Sequence, residues 1–253
     1  MKKKNKAIYL LFLMPFVYFA TACFVVWLVK TSGIYPSGSD TMYHVYRGDY
    51  VYNAIKLGNW YPLYDPAWYN GVEILRYWSP FPAYVMAFCQ YLAGGSQFGA
   101  YLFYIGGVCF LGACVWPFIG RGFNRPYLGA FIGLLWFFMP NNLCAIFIEG
   151  NLARSLSMIF LPVFIYSVYK YLYNHKLRYI PLMVFTFLLM ELCHLGYAGM
   201  VAIAVIIYGI VYIIQKGRKK AVLDVVISMI FGFMLLGIWL VASLRGGITS
   251  LDN

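Results

Sequence analysis

Asp40, His44 and Arg47 stand at i, i+4 and i+7 in GSDTMYHVYRGDY, within a chain that is otherwise mostly apolar. Residues at that spacing share one face of a helix. The run Ser37-Gly38-Ser39-Asp40 offers N-caps and Gly58 a stop after Leu57, so the spacing predicts a helix between them. A carboxylate on such a face can take a proton. A neighbouring imidazole can orient it or touch substrate, and a guanidinium can hold a phosphate through its planar fork. Two further polar islands carry ionisable groups. IEGNLARS holds Glu149, Asn151 and Arg154; ELCHLGYAG holds Glu191 and His194 at i, i+3. Ionisable residues at membrane depth are costly and by default mark function. The plainer reading of the second pair is that the two satisfy each other or cap a neighbouring helix. His175 lies in a basic loop and reads as solvated. Trp60, Tyr61, Tyr64, Trp68 and Tyr69 read either as an aromatic belt at the headgroup layer or as a surface on which sugar rings or a lipid carrier stack.

What must position these residues is a membrane bundle. Of 253 residues, 63% are hydrophobic and only 11% charged, and the mean hydropathy is +0.73. No soluble domain of this length hides that much apolar surface. The net charge of +11 does not point to nucleic acid, because the cations cluster at the ends of apolar runs. Six cysteines (Cys23, Cys89, Cys109, Cys114, Cys144, Cys193) lie in or beside apolar runs, without metal-ligand or CxxC spacing, and read as small packing residues. Spans are predicted over 7–29, 98–119, 127–146, 155–172, 179–195, 197–214 and 221–244. The run 7–29 is too long for a signal core and reads as an uncleaved first span. The stretch 79–95 opens with Pro80 and Pro82, closes with Gly94-Gly95 and leaves about a dozen helical residues, which suits a helix lying at the outer face. With the N-terminus inside and 79–95 not crossing, the inner ends carry 13 of the 19 Lys and Arg. The positive-inside rule favours that orientation. Asp40, Asp49, Asp65, Glu73, Glu149 and Asp252 then fall outside, Glu191 lies near the outer end of its span, and only Asp224 lies near the inner side. The expected fold is an all-α, polytopic bundle of seven spans, forming one module over 1–253. Its outer first loop, 31–96, carries juxtamembrane helices and the proposed active site.

The layout resembles the GT-C superfamily of membrane glycosyltransferases, which use polyprenyl-phosphate-linked sugars. A basic start and one span lead to a long outer loop with an early acidic residue, then a short Pro-led helix and further spans. The stretch GSDTMYHVYRGDYVYNAIKLGNWYPLYDPAWYNGVEILRYWSPFPAYVMA is similar to the first loop of bacterial membrane proteins labelled 6-pyruvoyl-tetrahydropterin synthase-related. EGNLARSLSMIFLPV and GIWLVASLRGGITSLD look like later segments of that group. The resemblance implies that Asp40 is the catalytic base and that His44 orients it or contacts substrate. It implies that Arg154, Arg76 and Arg47 hold the phosphate, while Glu149, Glu191 and His194 line the acceptor or sugar pocket, with Trp60 and Tyr64 as the stacking surface. The donor would be a polyprenyl-phosphate-sugar and the acceptor an envelope glycan or lipid outside the bacterial plasma membrane. A divalent metal beside Asp40 would suit the chemistry, but no second carboxylate stands at a ligand spacing there, so none is predicted. Pterin chemistry is not expected, since the three histidines lie far apart and form no zinc-ligand cluster.

GT-C enzymes usually carry more spans and often a soluble outer domain, so a partner subunit or a further C-terminal portion is expected. Two other classes stand beside this reading. A transporter or flippase for a lipid-linked substrate would place ionisable groups mid-span on broken helices, where this chain has almost none. A non-catalytic membrane scaffold or assembly subunit fits the short chain. The sequence shows no internal repeat and no Walker, dinucleotide, HExxH or GxSxG motif.

Overall fold

The computed structural model describes residues 2–36, 38–68 and 71–247, with side chains from residue 12 to 244. Ser37, Tyr69, Asn70 and Asp252 therefore lie outside the described residues. Among the described residues the chain is helical apart from turns, loops and one isolated antiparallel bridge, Asp65 to Val72. It divides into two compact units, residues 1–61 with 82–162, and residues 62–81 with 163–253.

The first unit is built on three apolar segments: α1 (Lys2–Ser32), α4 (Gln97–Gly122) and α5 (Pro126–Trp136). Met14, Tyr18 and Ala22 repeat at i, i+4 and i+8 and are the buried stripe of α1. The Tyr18 hydroxyl donates to the Ala130 carbonyl at 2.8 Å, so the one polar atom in that stripe is satisfied. The opposite face exposes Phe12, Phe16, Phe19 and Phe24, a surface that only lipid would tolerate. Helices α4 and α5 meet backbone to backbone, since a Cβ built on Gly120 would stand 2.6 Å from the Gly129 Cα. Small residues permit such contacts between membrane helices. After α5 the chain breaks at Pro140, makes one short turn as α6 (Pro140–Leu143) and widens into a π-helical turn over Cys144–Ile148. Asn142 repairs the break by donating to the Trp136 carbonyl at 2.8 Å. The outer-loop helices α2 (Thr41–Lys56) and α3 (Phe81–Leu92) complete this unit. Gln90 of α3 donates to Asp49 of α2 at 2.6 Å, and Tyr84 donates to the Trp60 carbonyl at 2.7 Å.

Helix α7 (Leu152–Asn174) begins in the first unit and continues past Pro162 into the second. The second unit adds α8 (Tyr179–Cys193), α9 (Leu195–Lys216), α10 (Lys219–Leu235) and α11 (Gly237–Gly247). Its loop 62–81 is pinned from inside. Ile74 and Leu75 are fully buried, the Trp239 indole donates to the Leu75 carbonyl at 2.8 Å, and Ser79 donates to the Glu191 carbonyl at 2.9 Å.

Every predicted span coincides with helix, but not all reach across a bilayer. Among the described residues five helical segments are long and apolar enough: Phe12–Ser32, Gln97–Gly122, Pro126–Ile148, Leu152–Asn174 and Leu195–Lys216. Lys219–Leu235 and Gly237–Leu244, bent by 59° at their junction, make a sixth if counted as one. The seventh, α8, has 15 residues, about 22 Å at 1.5 Å per residue, short of a hydrocarbon core of about 30 Å. Helix α3, with 12 residues, is the short helix expected over 79–95.

Candidate active site

Two of the polar islands meet in the first unit. The Asp40 backbone N–H donates to the Glu149 carbonyl at 3.1 Å. The Ser39 hydroxyl stands 3.1 Å from that same carbonyl and 3.2 Å from Asp40 Oδ1, so its proton is shared between them. This approach needs glycine on both sides. A Cβ on Gly38 would lie 2.5 Å from the Gly150 Cα, and Gly150 sits at φ +68°. Asp40 is the N-cap residue of α2, but its carboxylate makes no capping bond. It is left half-buried at the mouth of the helix instead.

Glu149 is the hub of this arrangement. Its backbone N–H donates to the Cys144 carbonyl at 2.8 Å, closing the π-helical turn. Its Oε2 pairs with Arg154 Nη1 at 2.7 Å, and its Oε1 accepts from the Cys144 thiol at 3.4 Å. Asn151 accepts from the Arg154 N–H at 3.0 Å and so starts α7 as an Asn cap usually does. Arg154 thus sits in the first turn of α7, aimed by a carboxylate. Its Nε is buried without a hydrogen-bond partner. Single π-turns inside helices are frequent at functional sites, and this one delivers Glu149 to Asp40.

The face of α2 that carries His44 and Arg47 is its buried face, together with Thr41, Val45, Gly48 and Val51. Arg47 is 1% exposed, its guanidinium 5.4 Å from the centre of the Tyr43 ring. Burial pulls its pKa below the usual arginine value, and Tyr43 opposes that shift. The Tyr43 and His44 rings meet edge to face at 5.6 Å. Burial, then the charge of Asp49, raises the pKa of Tyr35, whose ring packs on Phe98 and Tyr101. Burial chiefly, with Tyr61 adding, pushes Tyr84 up to about 12. Trp60 is 70% exposed.

The remaining candidates belong to the second unit. Arg76 is engaged by Glu73 three residues before it, and Tyr64 is exposed. His194 Nδ1 accepts from the Tyr197 N–H at 3.0 Å, capping α9 and fixing the proton of a neutral ring on Nε2. Capping is thus the role shown for His194, the plainer of its two readings. Glu191 is 2% exposed and its Oε2 has no hydrogen-bond partner. Among the described residues no three His, Cys, Asp or Glu side chains converge as a metal site would require.

Sequence reasoning overlooked Ser39 and Cys144. By sequence Ser39 offers only a cap and Cys144 only apolar packing. The available signal for Cys144 was its position five residues before Glu149, one π-turn away. No curated protein and no solved structure matches the chain. Residues 75–253 match the 6-pyruvoyl-tetrahydropterin synthase related domain, a membrane protein. The chain, helical among its described residues with five or six apolar helices of spanning length there and matched over most of its length, belongs to the 6-pyruvoyl-tetrahydropterin synthase related family of membrane proteins.

Proposed function

We propose that this protein is a membrane glycosyltransferase of the GT-C type, which moves a sugar from a polyprenyl-phosphate carrier to an acceptor outside the bacterial plasma membrane. The observation that carries the reading is the Glu149 hub, whose carbonyl holds Asp40 and whose carboxylate holds Arg154. A polyprenyl phosphate is already a good leaving group. What remains is to remove the acceptor proton and steady the departing phosphate. Asp40 takes the proton as the acceptor oxygen attacks the anomeric carbon. The bond from that carbon to the phosphate oxygen breaks, and the phosphate leaves with the electron pair. Arg154, held on one side by Glu149, uses its remaining N–H groups on the phosphate. His44 lies one turn beyond Asp40, its N–H bonded to the Asp40 carbonyl at 3.1 Å, and its side chain orients the base or contacts substrate. Arg76, Tyr64, Glu191 and His194 belong to the second unit.

The reading takes 1–253 as one module with its N-terminus in the cytoplasm and the first loop outside. Counting α8 as a span rests on its pairing with α9 in the second unit. Arg218 bonds the His175 ring, so the turn before α8 and the turn after α9 lie at one end, and α8 runs back against α9.

The test is binding and transfer of a polyprenyl-phosphate-sugar by the purified chain and by Asp40→Asn. Transfer by the wild type, reduced by about 10²–10⁴-fold in the variant with membrane insertion intact, is the expected result. Unchanged transfer by Asp40→Asn removes Asp40 as the base. Binding without transfer points to a partner subunit or a further portion of chain. Neither binding nor transfer leaves the scaffold reading in its place.

A further inference from the structure

A second polar feature lies far along the chain from Asp40 and takes no part in the proposed transfer. In the second unit, the turn after α7 and the turn between α9 and α10 line an open pocket of about 730 Å³. Its lining includes His175, Arg218, Lys219, Lys220 and Asp224. Two left-handed residues, His175 (φ 50°) and Gly217 (φ 68°), turn the backbone sharply at its two sides. Arg218 is braced by the His175 ring. Neither Lys219 nor Lys220 pairs with a carboxylate among the described residues. The one acid in the lining, Asp224, is held by the Tyr171 hydroxyl at 2.6 Å. Three basic side chains thus line the pocket with a single carboxylate, in a space large enough for a headgroup. The first turn of α10 adds N–H groups without a side-chain cap.

We propose that this pocket binds a phosphodiester, that of an anionic phospholipid whose headgroup bears a hydroxyl. Arg218, Lys219 and Lys220 would take the phosphate oxygens, and Asp224 would accept from the headgroup hydroxyl. The place suits a lipid, because the pocket lies at the ends of the apolar helices α7 and α9, where lipid phosphates sit. The positive-inside rule explains cations in this turn, but a rule about charge alone calls for neither a pocket nor a braced arginine nor a half-buried acid beside them.

The probe is phosphatidylglycerol against phosphatidylcholine, offered to the full chain in detergent and counted by native mass spectrometry. Wild type retains phosphatidylglycerol over phosphatidylcholine. Removing three cations (R218Q with K219Q and K220Q) lowers that retention by about a hundredfold, at roughly fivefold per cation. Single Lys219→Gln and Lys220→Gln proteins, which alter only exposed side chains, each lose about fivefold and report even if the triple variant does not fold. Lys2→Gln with Lys3→Gln and Lys4→Gln removes the same charge elsewhere and leaves retention as in wild type. Asp224→Asn keeps phosphate binding but narrows the preference for phosphatidylglycerol over phosphatidic acid, which lacks the headgroup hydroxyl. Competition by millimolar inorganic phosphate assigns the site to free phosphate, and resistance to it assigns the site to lipid. Equal losses in the N-terminal and α10 variants, or no preference in wild type, overturn the proposal. None of these readouts uses sugar transfer, so they stand or fall apart from the glycosyltransferase reading.

Discussion

At the scale of single residues the organising group is Glu149 rather than the Asp40–His44–Arg47 face. Glu149 binds through backbone and side chain at once: its carbonyl serves Asp40 and Ser39, its carboxylate serves Arg154 and Cys144. Glu149→Gln keeps the backbone contacts and removes the ion pair. The pair is partly exposed, with 20% and 36% of the two side chains accessible, so its loss costs at most about 1 kcal/mol of stability. If Arg154 steadies the leaving phosphate, transfer falls by more than about tenfold, because the guanidinium loses its aim. Thermal unfolding in detergent beside the transfer assay separates the two effects. A fall in transfer matched by an equal fall in folded protein would deny Arg154 that task. Arg47 is fully buried, on the packed face of α2.

At the scale of elements the joint between the start of α2 and the start of α7 depends on backbone contact. A Cβ at Gly150 would meet Thr41 Oγ1 at 2.2 Å and the Thr41 nitrogen at 2.6 Å, on a residue already at φ +68°. Gly150→Ala is therefore expected to cost about 1–3 kcal/mol and to speed hydrogen exchange at the Asp40 amide. Gly107→Ala is the control: it lies in α4 with nothing within 4 Å, and alanine favours a helix over glycine. Equal behaviour of the two variants would mean that the joint is loose. In the second unit, Trp239→Phe removes the hydrogen bond to Leu75, a loss of about 1 kcal/mol. Faster exchange over 72–78 would show that α11 holds the loop, and unchanged exchange would show that Ile74 and Leu75 hold it by burial alone.

At the scale of the whole molecule the prediction is orientation. Asp65 is an unsuitable reporter, although it lies in the loop expected outside. It is 2% exposed, pairs with Val72, and its carboxylate accepts the Ala67 N–H at 2.9 Å. Asn59 and Lys176 are both exposed. With cysteine at these positions in a chain otherwise free of cysteine, an impermeant thiol reagent applied to intact cells should label position 59. Position 176 should react only after the membrane is opened. The reverse pattern would invert the molecule and put Asp40 on the cytoplasmic side, away from any envelope acceptor.

Hydropathy and charge are sums over neighbours in the chain, so the membrane class and the approximate extents of the spans could be read from sequence alone. The same holds for the short helix α3 and for the helix that follows Asp40. Length thresholds at span ends are less forgiving, and α8 fell short because its flanks, His175 to Arg178 and His194, are polar. Side-chain burial on α2 was not readable, because helical spacing says which residues share a face but not what that face meets. Nor was the contact between Ser39 and Glu149, residues 110 positions apart in the chain. It exists because a π-turn and two glycines bring distant backbones together, and no local pattern encodes such an approach. His194 shows the same limit: its type and spacing allowed a ligand or a cap, and the 3.0 Å contact with the Tyr197 N–H, set by the path of the chain between α8 and α9, made it a cap.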